Sequence, residues 1–387
     1  MLIIKNGTII TPQETLRNMV LVIGRDKIQD ILPETKAPQN TEIIDAGGGY
    51  ILPGFVDIHL HGGAGYDFMD AEHFSEIADI HAKHGTTAIV PTTVSCNETE
   101  LFHLFHIYRQ AAGKSRTAEF LGLHLEGPFI SREMKGAQNE NCIRYPDSRL
   151  IDKLLDEGGD IINRCTAAPE LPGMEAAAKK LTAHGIKLAA GHSNATCEQM
   201  IQAYDMGFTH ITHLYCSATG VRKIGQKVHA GMIQAAFLLD GMTVELIGDG
   251  KHIPRELMQM TVKLKGADKT ILVTDAMRAA GTGARESYLG AKHPDNRVII
   301  EGGVAKLPDR SSFAGSIATA DKMFQNAVIN NGIPIEQVSR MMSLTPAKVA
   351  GAESRKGSLE QGKDADIIIM DQEMKIKTVF ARGNRVE

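Results

Sequence analysis

Three features that mark large classes of proteins are missing from this chain of 387 residues. It has no run of about 18 apolar residues, so we expect no membrane span. It has no basic block and a net charge of −4, so we expect no nucleic-acid partner. Its five cysteines form no C-x-x-C pair, which argues against a zinc ribbon or a disulfide framework. Its N-terminus, "MLIIKNGTII", resembles a strand and a turn more than an export signal, so we expect a cytoplasmic protein.

The two ends of the chain share a sequence pattern of short β-like runs. The first fifty residues alternate in strand fashion and are broken by turn signals such as Asn-Gly. The C-terminal stretch "GSLEQGKDADIIIMDQEMKIKTVFARGNRV" returns to the same pattern. We therefore predict a small β-sandwich domain formed by residues 1–52 and 355–387, with the two termini close in space.

The middle of the chain alternates apolar β-rich runs with helical stretches, several of which end at glycine. Eight such strands alternating with helices predict a (β/α)8 TIM barrel over residues 53–354. The alternative is an open doubly wound sheet. It is disfavoured because no G-x-G-x-x-G sequence follows the first strand of this region.

The stretch "VDIHLHGG" at residues 56–63 contains two histidines one residue apart, His59 and His61. Residues two apart on a strand point to the same face, so both imidazoles can bind one divalent ion. Taken alone, this pattern is more often structural than functional.

Four other predicted strands change that balance, because each ends in a side chain of the kind that binds metals. These residues are Glu126, His192, His213 and Asp275. In a TIM barrel the C-terminal ends of the strands form the catalytic face. Five strands that carry such residues at equivalent depth predict a metal site at this end of the barrel.

Two further histidines are interpreted as structural. His210 lies three residues before His213, so on a regular strand it faces the other side, where we expect it to pack against a helix. His124 shares the face of Glu126 but lies deeper, so a hydrogen-bonded supporting role is favoured over direct metal ligation.

Together these motifs resemble the amidohydrolase superfamily and, within it, the N-acetylglucosamine-6-phosphate deacetylase family. The resemblance runs over nearly the whole chain, through "PGFVDIHLHG", "HLEGPF", "KGA", "GHS", "THLY", "GDGKH", "VTDAM" and "FAGS". "HLEGP" discriminates best, since many amidohydrolases place a carbamylated lysine on strand four, whereas this family uses a glutamate on strand three. Strand four here ends "CTAAPE" and has no such lysine.

The resemblance implies a metal-dependent hydrolase with one or two divalent ions per subunit. It makes Glu126, His192 and His213 the ligands of the principal ion. His59 and His61 imply a second ion, with Glu126 as the bridging ligand. Histidine and carboxylate ligands without cysteine suit Zn²⁺, Fe²⁺, Mn²⁺ or Co²⁺.

The resemblance also implies catalytic and substrate-binding roles. Asp275 matches the family's catalytic aspartate and is also expected to be a metal ligand. The substrate-binding positions are Ala137, Cys216, Ser217, Arg222, His252, Phe313 and Ala314. Among them, Arg222 matches a phosphate-binding arginine, since a guanidinium matches phosphate oxygens bidentately. The chain departs from the family at Cys216-Ser217, at the segment after Arg222 and at Gln138, and each departure touches the substrate pocket.

The reaction implied is hydrolysis of the acetamido group of N-acetylglucosamine 6-phosphate to glucosamine 6-phosphate and acetate, by a homodimer. Asp275 is expected to take a proton from water and give it to the departing amine. Three alternatives remain: the same reaction on N-acetylgalactosamine 6-phosphate, another metal-dependent amidohydrolase, and a metal-binding protein without catalysis. The presence of Asp275 counts against the last of these.

Overall fold

The computed structural model describes all 387 residues. The N-terminal segment contributes seven strands: β1 (Leu2–Lys5), β2 (Thr8–Ile10), β3 (Thr15–Leu16), β4 (Met19–Gly24), β5 (Lys27–Pro33), β6 (Glu42–Asp45) and β7 (Tyr50–Pro53). Four of them form one sheet in the order β5-β4-β1-β6. The runs "LII" and "VLVI" supply buried β-branched and leucine side chains to this sheet, which favours strands.

The middle of the chain forms sixteen strands. They are β8 (Phe55–Leu60), β9 (Gly62–Gly63), β10 (Tyr66–Asp67), β11 (Thr86–Pro91), β12 (Glu119–Phe120), β13 (Leu123–Glu126), β14 (Ile162–Ala167), β15 (Lys187–Ala190), β16 (Phe208–Ile211), β17 (Arg222–Ile224), β18 (Lys227–His229), β19 (Thr243–Ile247), β20 (Thr270–Val273), β21 (Glu286–Tyr288), β22 (Arg297–Glu301) and β23 (Val304–Lys306).

Ten α-helices lie between and after these strands. They are α1 (Phe74–Lys83), α2 (Glu98–Ala111), α3 (Ser148–Gly158), α4 (Met174–Ala183), α5 (Cys197–Asp205), α6 (Met232–Leu238), α7 (Arg255–Lys265), α8 (Ala320–Gln325), α9 (Ile335–Met342) and α10 (Leu344–Ala350). Helix α8 continues into one π-helical turn at Asn326–Asn330. Short 3-10 turns occur at Glu34–Lys36, Phe68–Asp70, Arg132–Met134, Glu140–Cys142 and Pro294–Asn296.

The parallel strands form a curled sheet. Strands β8, β11 and β12 form one parallel group, and β13-β14-β15-β16-β19-β20 form another. Isolated parallel bridges join the groups at both edges, between Thr92 and His124 and between Leu60 and Ala276. The C-terminal ends of β8, β13, β15, β16, β19 and β20 therefore face one common region. The fold is mixed α/β, with a curled parallel sheet and helices packed outside it.

The two ends of the chain meet in another sheet. The C-terminal strands β24 (Ile367–Met370), β25 (Ile376–Ala381) and β26 (Asn384–Arg385) join three N-terminal strands in the order β26-β25-β24-β7-β2-β3. Ile367 pairs with Pro53 and Met370 with Tyr50. A separate buried apolar cluster, which includes Ile9, fills this region.

Candidate metal centre and active-site cleft

The six predicted metal-binding side chains meet at the C-terminal ends of the parallel strands. His59 lies in β8 and His61 follows it directly, Glu126 ends β13, and His192, His213 and Asp275 each come two residues after a strand. All six residues are buried. The structure thus brings together the ends of the five strands that carry these residues.

The backbone at three of these strand ends departs from extended geometry. His192, His213 and Asp275 have φ angles of +47°, +29° and +47°. Positive φ is uncommon for residues other than glycine and costs free energy, so it persists only where the surroundings enforce it. This local turn lets the side chains reach the centre after the regular strand has ended.

The same turn explains why the interpretation of His210 fails. The prediction that His210 packs against a helix is wrong, because its Nε2 lies 3.0 Å from Oε1 of Glu245 inside the curled sheet. His210 is buried, and its Nδ1 lies 2.7 Å from Oγ1 of Thr243. Strand alternation holds for His210, whereas His213 lies past the end of β16, where alternation no longer applies.

Glu126 is the centre of the cluster. Its Oε1 lies 2.9 Å from Nε2 of His213, 3.3 Å from Nε2 of His192 and 3.3 Å from Nε2 of His59. Its Oε2 lies 3.5 Å from Nε2 of His61. Because its two oxygens face different histidines, Glu126 has the position required of a bridging ligand.

Asp275 completes a second group. Its Oδ1 lies 3.2 Å from Nε2 of His61 and 3.6 Å from Nε2 of His59. The ligand atoms of His59, His61 and Asp275 lie close enough together to hold one ion, as do those of His59, Glu126 and His213.

The four histidines all present the same ring nitrogen to the centre, because each Nδ1 faces an acceptor elsewhere. These acceptors are a carboxylate oxygen of Glu245 for His59 and the backbone carbonyls of Thr92, Met134 and Cys216 for His61, His192 and His213, at 2.9, 3.3, 2.9 and 3.2 Å. In the neutral imidazole, each Nδ1–H donates to its acceptor and Nε2 carries the lone pair that can bind a metal. This arrangement is typical of metal-binding histidines.

The residues fit a divalent cation. His59 Nε2 is buried and forms no hydrogen bond, so a nitrogen that can bind a metal is left without a partner at the centre of the cluster. Burial lowers the pKa of His59, but Glu126 and Glu245 outweigh burial and raise that pKa well above its ordinary value. The cluster therefore stabilises positive charge, and its nitrogen and oxygen atoms suit a divalent metal.

Beneath the centre lies a buried ionic network that sequence reasoning missed. Arg164 on β14 forms an ion pair with Glu245 on β19, and both side chains are buried. Glu245 also accepts hydrogen bonds from His59 Nδ1 and from the backbone N–H of His213. Burial raises the pKa of Glu245, but the charges of Arg164 and His59 hold it well below its ordinary value. The available signal was a charged residue inside an otherwise uncharged and largely buried strand, "TVELI".

His124 belongs to this network and not to the metal groups. Its Nε2 lies 2.6 Å from Oγ1 of Thr166, and its Nδ1 lies 2.9 Å from Nη2 of Arg164. Burial and the charge of Arg164 hold the pKa of His124 well below its ordinary value, so the ring is neutral. The supporting position expected for His124 agrees with these contacts.

A cleft of about 220 Å³ opens above the centre. Five of the predicted substrate-binding residues line it: Ala137, Cys216, Ser217, His252 and Phe313. The ring of His252 packs edge-on to that of Phe313, and its Nδ1 lies 2.8 Å from Oδ2 of Asp249. Burial raises the pKa of Cys216 to about 12, so this residue is a neutral thiol.

The other two predicted substrate contacts lie outside the cleft lining. Ala314 is fully buried beside Phe313. Arg222 lies on the β17–β18 hairpin, where its guanidinium hydrogen-bonds Oδ1 and the backbone carbonyl of Asn194. Glu170 in turn accepts the backbone N–H of Asn194 at 2.5 Å. The structure thus brings together five of the seven predicted contacts.

None of the helices combines the length and the apolar character needed to cross a membrane.

Comparison with known proteins places the chain in a family. Residues 50–386 match the Amidohydrolase family. An N-acetylglucosamine-6-phosphate deacetylase of Lysinibacillus sphaericus is 35% identical over 99% of this chain and 97% of its own length. The crystal structure of the Pasteurella multocida N-acetylglucosamine-6-phosphate deacetylase has a TM-score of 0.92 and 28% identity, covering 99% of this chain and 98% of that one.

A mutant of the Mycobacterium smegmatis N-acetyl-D-glucosamine-6-phosphate deacetylase, solved in complex with N-acetyl-D-glucosamine-6-phosphate, has a TM-score of 0.89 and 30% identity. The match covers 100% of this chain and 98% of that one. The chain therefore belongs to the amidohydrolase family, within its group of N-acetylglucosamine-6-phosphate deacetylases.

Proposed function

We propose that this protein hydrolyses the acetamido group of N-acetylglucosamine 6-phosphate to glucosamine 6-phosphate and acetate. The observation that carries the proposal is the buried cluster of four histidines, Glu126 and Asp275 at the floor of the cleft. The choice of substrate rests on the full-length similarity to proteins named N-acetylglucosamine-6-phosphate deacetylase. Departures from the family pattern at Cys216 and Gln138 make N-acetylgalactosamine 6-phosphate the nearest alternative substrate.

The proposal includes a divalent ion that Glu126, His192 and His213 would hold, and a second one that His59, His61 and Asp275 would hold, with Glu126 as the shared ligand. The donor set suits zinc, iron, manganese or cobalt. Such an ion, when bound, lowers the pKa of water to about 7 and polarises a carbonyl oxygen.

In the proposed mechanism Asp275 moves the proton. Water attacks the acetamido carbon, forming a C–O bond, and Asp275 accepts the proton that water loses. Asp275 then donates this proton to the nitrogen as the C–N bond breaks, so the amine leaves neutral. Burial raises the pKa of Asp275, but a hydrogen bond with His61 and the charge of His59 outweigh burial and lower it, which keeps the carboxylate ready to accept a proton.

His252 is the proposed stabiliser of the oxyanion that develops on the carbonyl oxygen. Its Nδ1 is held by Asp249 at 2.8 Å, which leaves Nε2 for the substrate. Ser217, Cys216 and Ala137 are proposed contacts of the sugar phosphate.

Arg222 is the proposed phosphate ligand, because its planar guanidinium matches phosphate oxygens. Phosphate binding then requires that the guanidinium leave Asn194, with which it now forms two hydrogen bonds. Phe313 and Ala314 are proposed to shape the sugar pocket.

The finer architecture is also proposed. The bridges at Leu60–Ala276 and Thr92–His124 support a closed (β/α)8 barrel over residues 53–354. The two antiparallel-rich sheets from the ends of the chain support a β-sandwich formed by residues 1–52 and 355–387. A homodimer and a cytoplasmic location stay predictions.

Acetate release from a panel of sugars tests the proposal. The panel holds N-acetylglucosamine 6-phosphate, N-acetylgalactosamine 6-phosphate and unphosphorylated N-acetylglucosamine. We expect the highest kcat/KM for N-acetylglucosamine 6-phosphate, because Arg222 is the proposed phosphate ligand and the cleft residues are the proposed contacts of this sugar. We expect Arg222→Ala to raise KM for the phosphorylated sugars and to change kcat/KM for the unphosphorylated sugar little.

Two results would contradict the assignment. A higher kcat/KM for the galactosamine epimer would move the function to that substrate. Equal kcat/KM with and without phosphate, unchanged in Arg222→Ala, would indicate another metal-dependent amidohydrolase and remove the role of Arg222.

A further inference from the structure

The side chain of Gln138 connects a metal-binding carboxylate to the backbone of a neighbouring loop. Its Oε1 accepts the backbone N–H of Ser95 at 2.6 Å, and its Nε2 donates to Oε2 of Glu126 at 2.7 Å. Only the oxygen of an amide can accept from an N–H, so Ser95 fixes the orientation of the amide. The amide nitrogen must then face Glu126. With 5% of its surface exposed, Gln138 has little freedom to leave this position.

This contact makes the two oxygens of Glu126 unequal. Oε1 faces Nε2 of His59, His192 and His213 and receives no hydrogen bond from a neutral amide. Oε2 already accepts from Gln138, and Nε2 of His61 lies farther away, at 3.5 Å. An ion that uses Oε2 beside His61 must therefore compete with an amide proton, whereas an ion beside His192 and His213 has Oε1 available.

The loop that carries Gln138 also orients a second ligand of the same ion. The carbonyl of Met134 accepts Nδ1–H of His192 at 2.9 Å. Between these two contacts, Gly136 has φ of +55°, and a Cβ there would lie 2.9 Å from Oγ of Ser217. One loop thus holds both Glu126 and His192 through atoms that point away from the ion.

We propose that Gln138 is a positioning residue that reserves one oxygen of Glu126, so that the ion held with His192 and His213 binds more tightly than the ion held with His59 and His61. The inference rests on the metal dependence included in the proposed function. It goes beyond that function by ranking the two sites and assigning the ranking to one neutral side chain.

Zinc titration of the metal-stripped protein against a competing chelator tests this. The quantity measured is the ratio of the second dissociation constant to the first. Gln138→Met removes the amide at nearly constant volume, which should weaken the first ion and free Oε2 for the second. Loss of a hydrogen bond to a metal ligand typically costs about 10–100-fold in affinity, so we expect the ratio to fall at least about tenfold.

Two further variants sharpen the test. Gln138→Glu keeps an acceptor for the Ser95 N–H but puts a carboxylate oxygen beside Glu126. Gln138→Glu should lower the ratio of the two dissociation constants further. If Gln138→Met does not fold, the ratio measured for Gln138→Glu alone tests the proposal. Gln199→Met is the matched control, because Gln199 also accepts a backbone N–H, that of Thr196 at 2.9 Å, but lies on an exposed helix surface.

The proposal is overturned if the ratio stays constant in the Gln138 variants, or if Gln199→Met lowers it equally. A purely structural role would weaken both ions together and leave the ratio unchanged. Acetate release by the wild-type sample is measured in parallel. Zinc binding with the expected ratios but without acetate release contradicts the proposed function and leaves the role of Gln138 intact.

Discussion

At the scale of single residues, the orientation of the histidines carries the chemistry. Each imidazole of the centre donates from Nδ1 and so directs the Nε2 lone pair towards Glu126 or Asp275. The acceptors are three backbone carbonyls and one buried carboxylate, Glu245, which Arg164 keeps ionised. Fixing the orientation in advance lowers the free-energy cost of binding a cation, because no ring has to rotate or exchange one tautomer for the other.

Asp275→Asn tests the proton-transfer role at the same scale. The amide has nearly the same shape but cannot accept the proton of water, so kcat should fall by about 10²–10⁴-fold. Zinc bound with Glu126, His192 and His213 should persist, since that group does not include Asp275. The measurements are kcat for acetate release and zinc content of the same sample. Asp152→Asn, at an exposed ion pair on α3, is the control, and a kcat within about threefold of wild type in Asp275→Asn would remove the assignment.

The role of a residue could be predicted from the sequence where its position in a strand was unusual for its side chain. The six side chains of the centre could be predicted because polar residues at the C-terminal ends of apolar strands have few structural explanations. Glu245 and Arg164 could not, because their function depends on partners from strands far apart in sequence. His210 was assigned to the wrong face because alternation was extended past Ile211, where β16 ends.

At the scale of elements, the strand ends and the loops after them position the side chains of the centre, which regular strand geometry does not allow. Loops after β13, β15, β16 and β20 place side chains at positive φ or supply backbone acceptors to histidines. The alternation of strands and helices was predictable from hydrophobic periodicity. The β17–β18 hairpin and the β21–β22–β23 sheet were not, because they are short insertions whose pattern is weaker than that of the barrel-type strands. These insertions carry Arg222 and lead to Phe313.

A buried cation joins the C-terminal segment to the parallel sheet. The Lys356 ammonium lies 2.8 Å from carboxylate oxygens of Glu119, Asp364 and Asp366. Burial lowers the pKa of Lys356, but Asp366 and Glu119 outweigh burial and raise it. Burial raises the pKa of Glu119, but Arg355 and Lys356 outweigh burial and lower it.

The sign of the pH dependence follows from these directions. Because the folded-state pKa of Glu119 lies below its ordinary value of 4.5, its stabilisation is present above that pH and is lost as the pH falls through the folded pKa. Asp364 behaves in the same way, since Lys27 and Lys356 outweigh burial and lower its pKa. Burial raises the pKa of Asp366, which offsets part of this effect.

Lys356→Met should therefore create a pH dependence of stability between pH 7 and pH 5. It leaves three carboxylates together without their buried cation and should cost about 3–5 kcal/mol at pH 7. Its free energy of unfolding should rise from pH 7 to pH 5 as these carboxylates take up protons, whereas the wild type should stay nearly level in this range because Glu119 and Asp364 stay ionised. Urea denaturation at both pH values measures this. Lys180→Met, at an exposed pair with Asp152, should change stability little, and a variant that is less stable at pH 5 than at pH 7 would contradict the account.

At the scale of the whole molecule, the fold explains why one small region can hold the entire centre. Parallel strands direct their C-terminal ends to a common edge, and curling of the sheet brings those ends towards one region. Residues from 59 to 275 thereby meet within a few ångströms. The two ends of the chain pair away from this site, through β7 and β24, and their cluster of buried residues is separate from the main core.

Metal removal and reconstitution test the central claim most directly. The rate of acetate release from N-acetylglucosamine 6-phosphate is measured before chelation, after chelation and dialysis, and after zinc is added back. The account predicts that stripping lowers the rate by at least about 10³-fold and that one or two zinc ions per chain restore it, since an amide carbonyl and water react slowly without a cation. A stripped protein that keeps its rate would contradict the account.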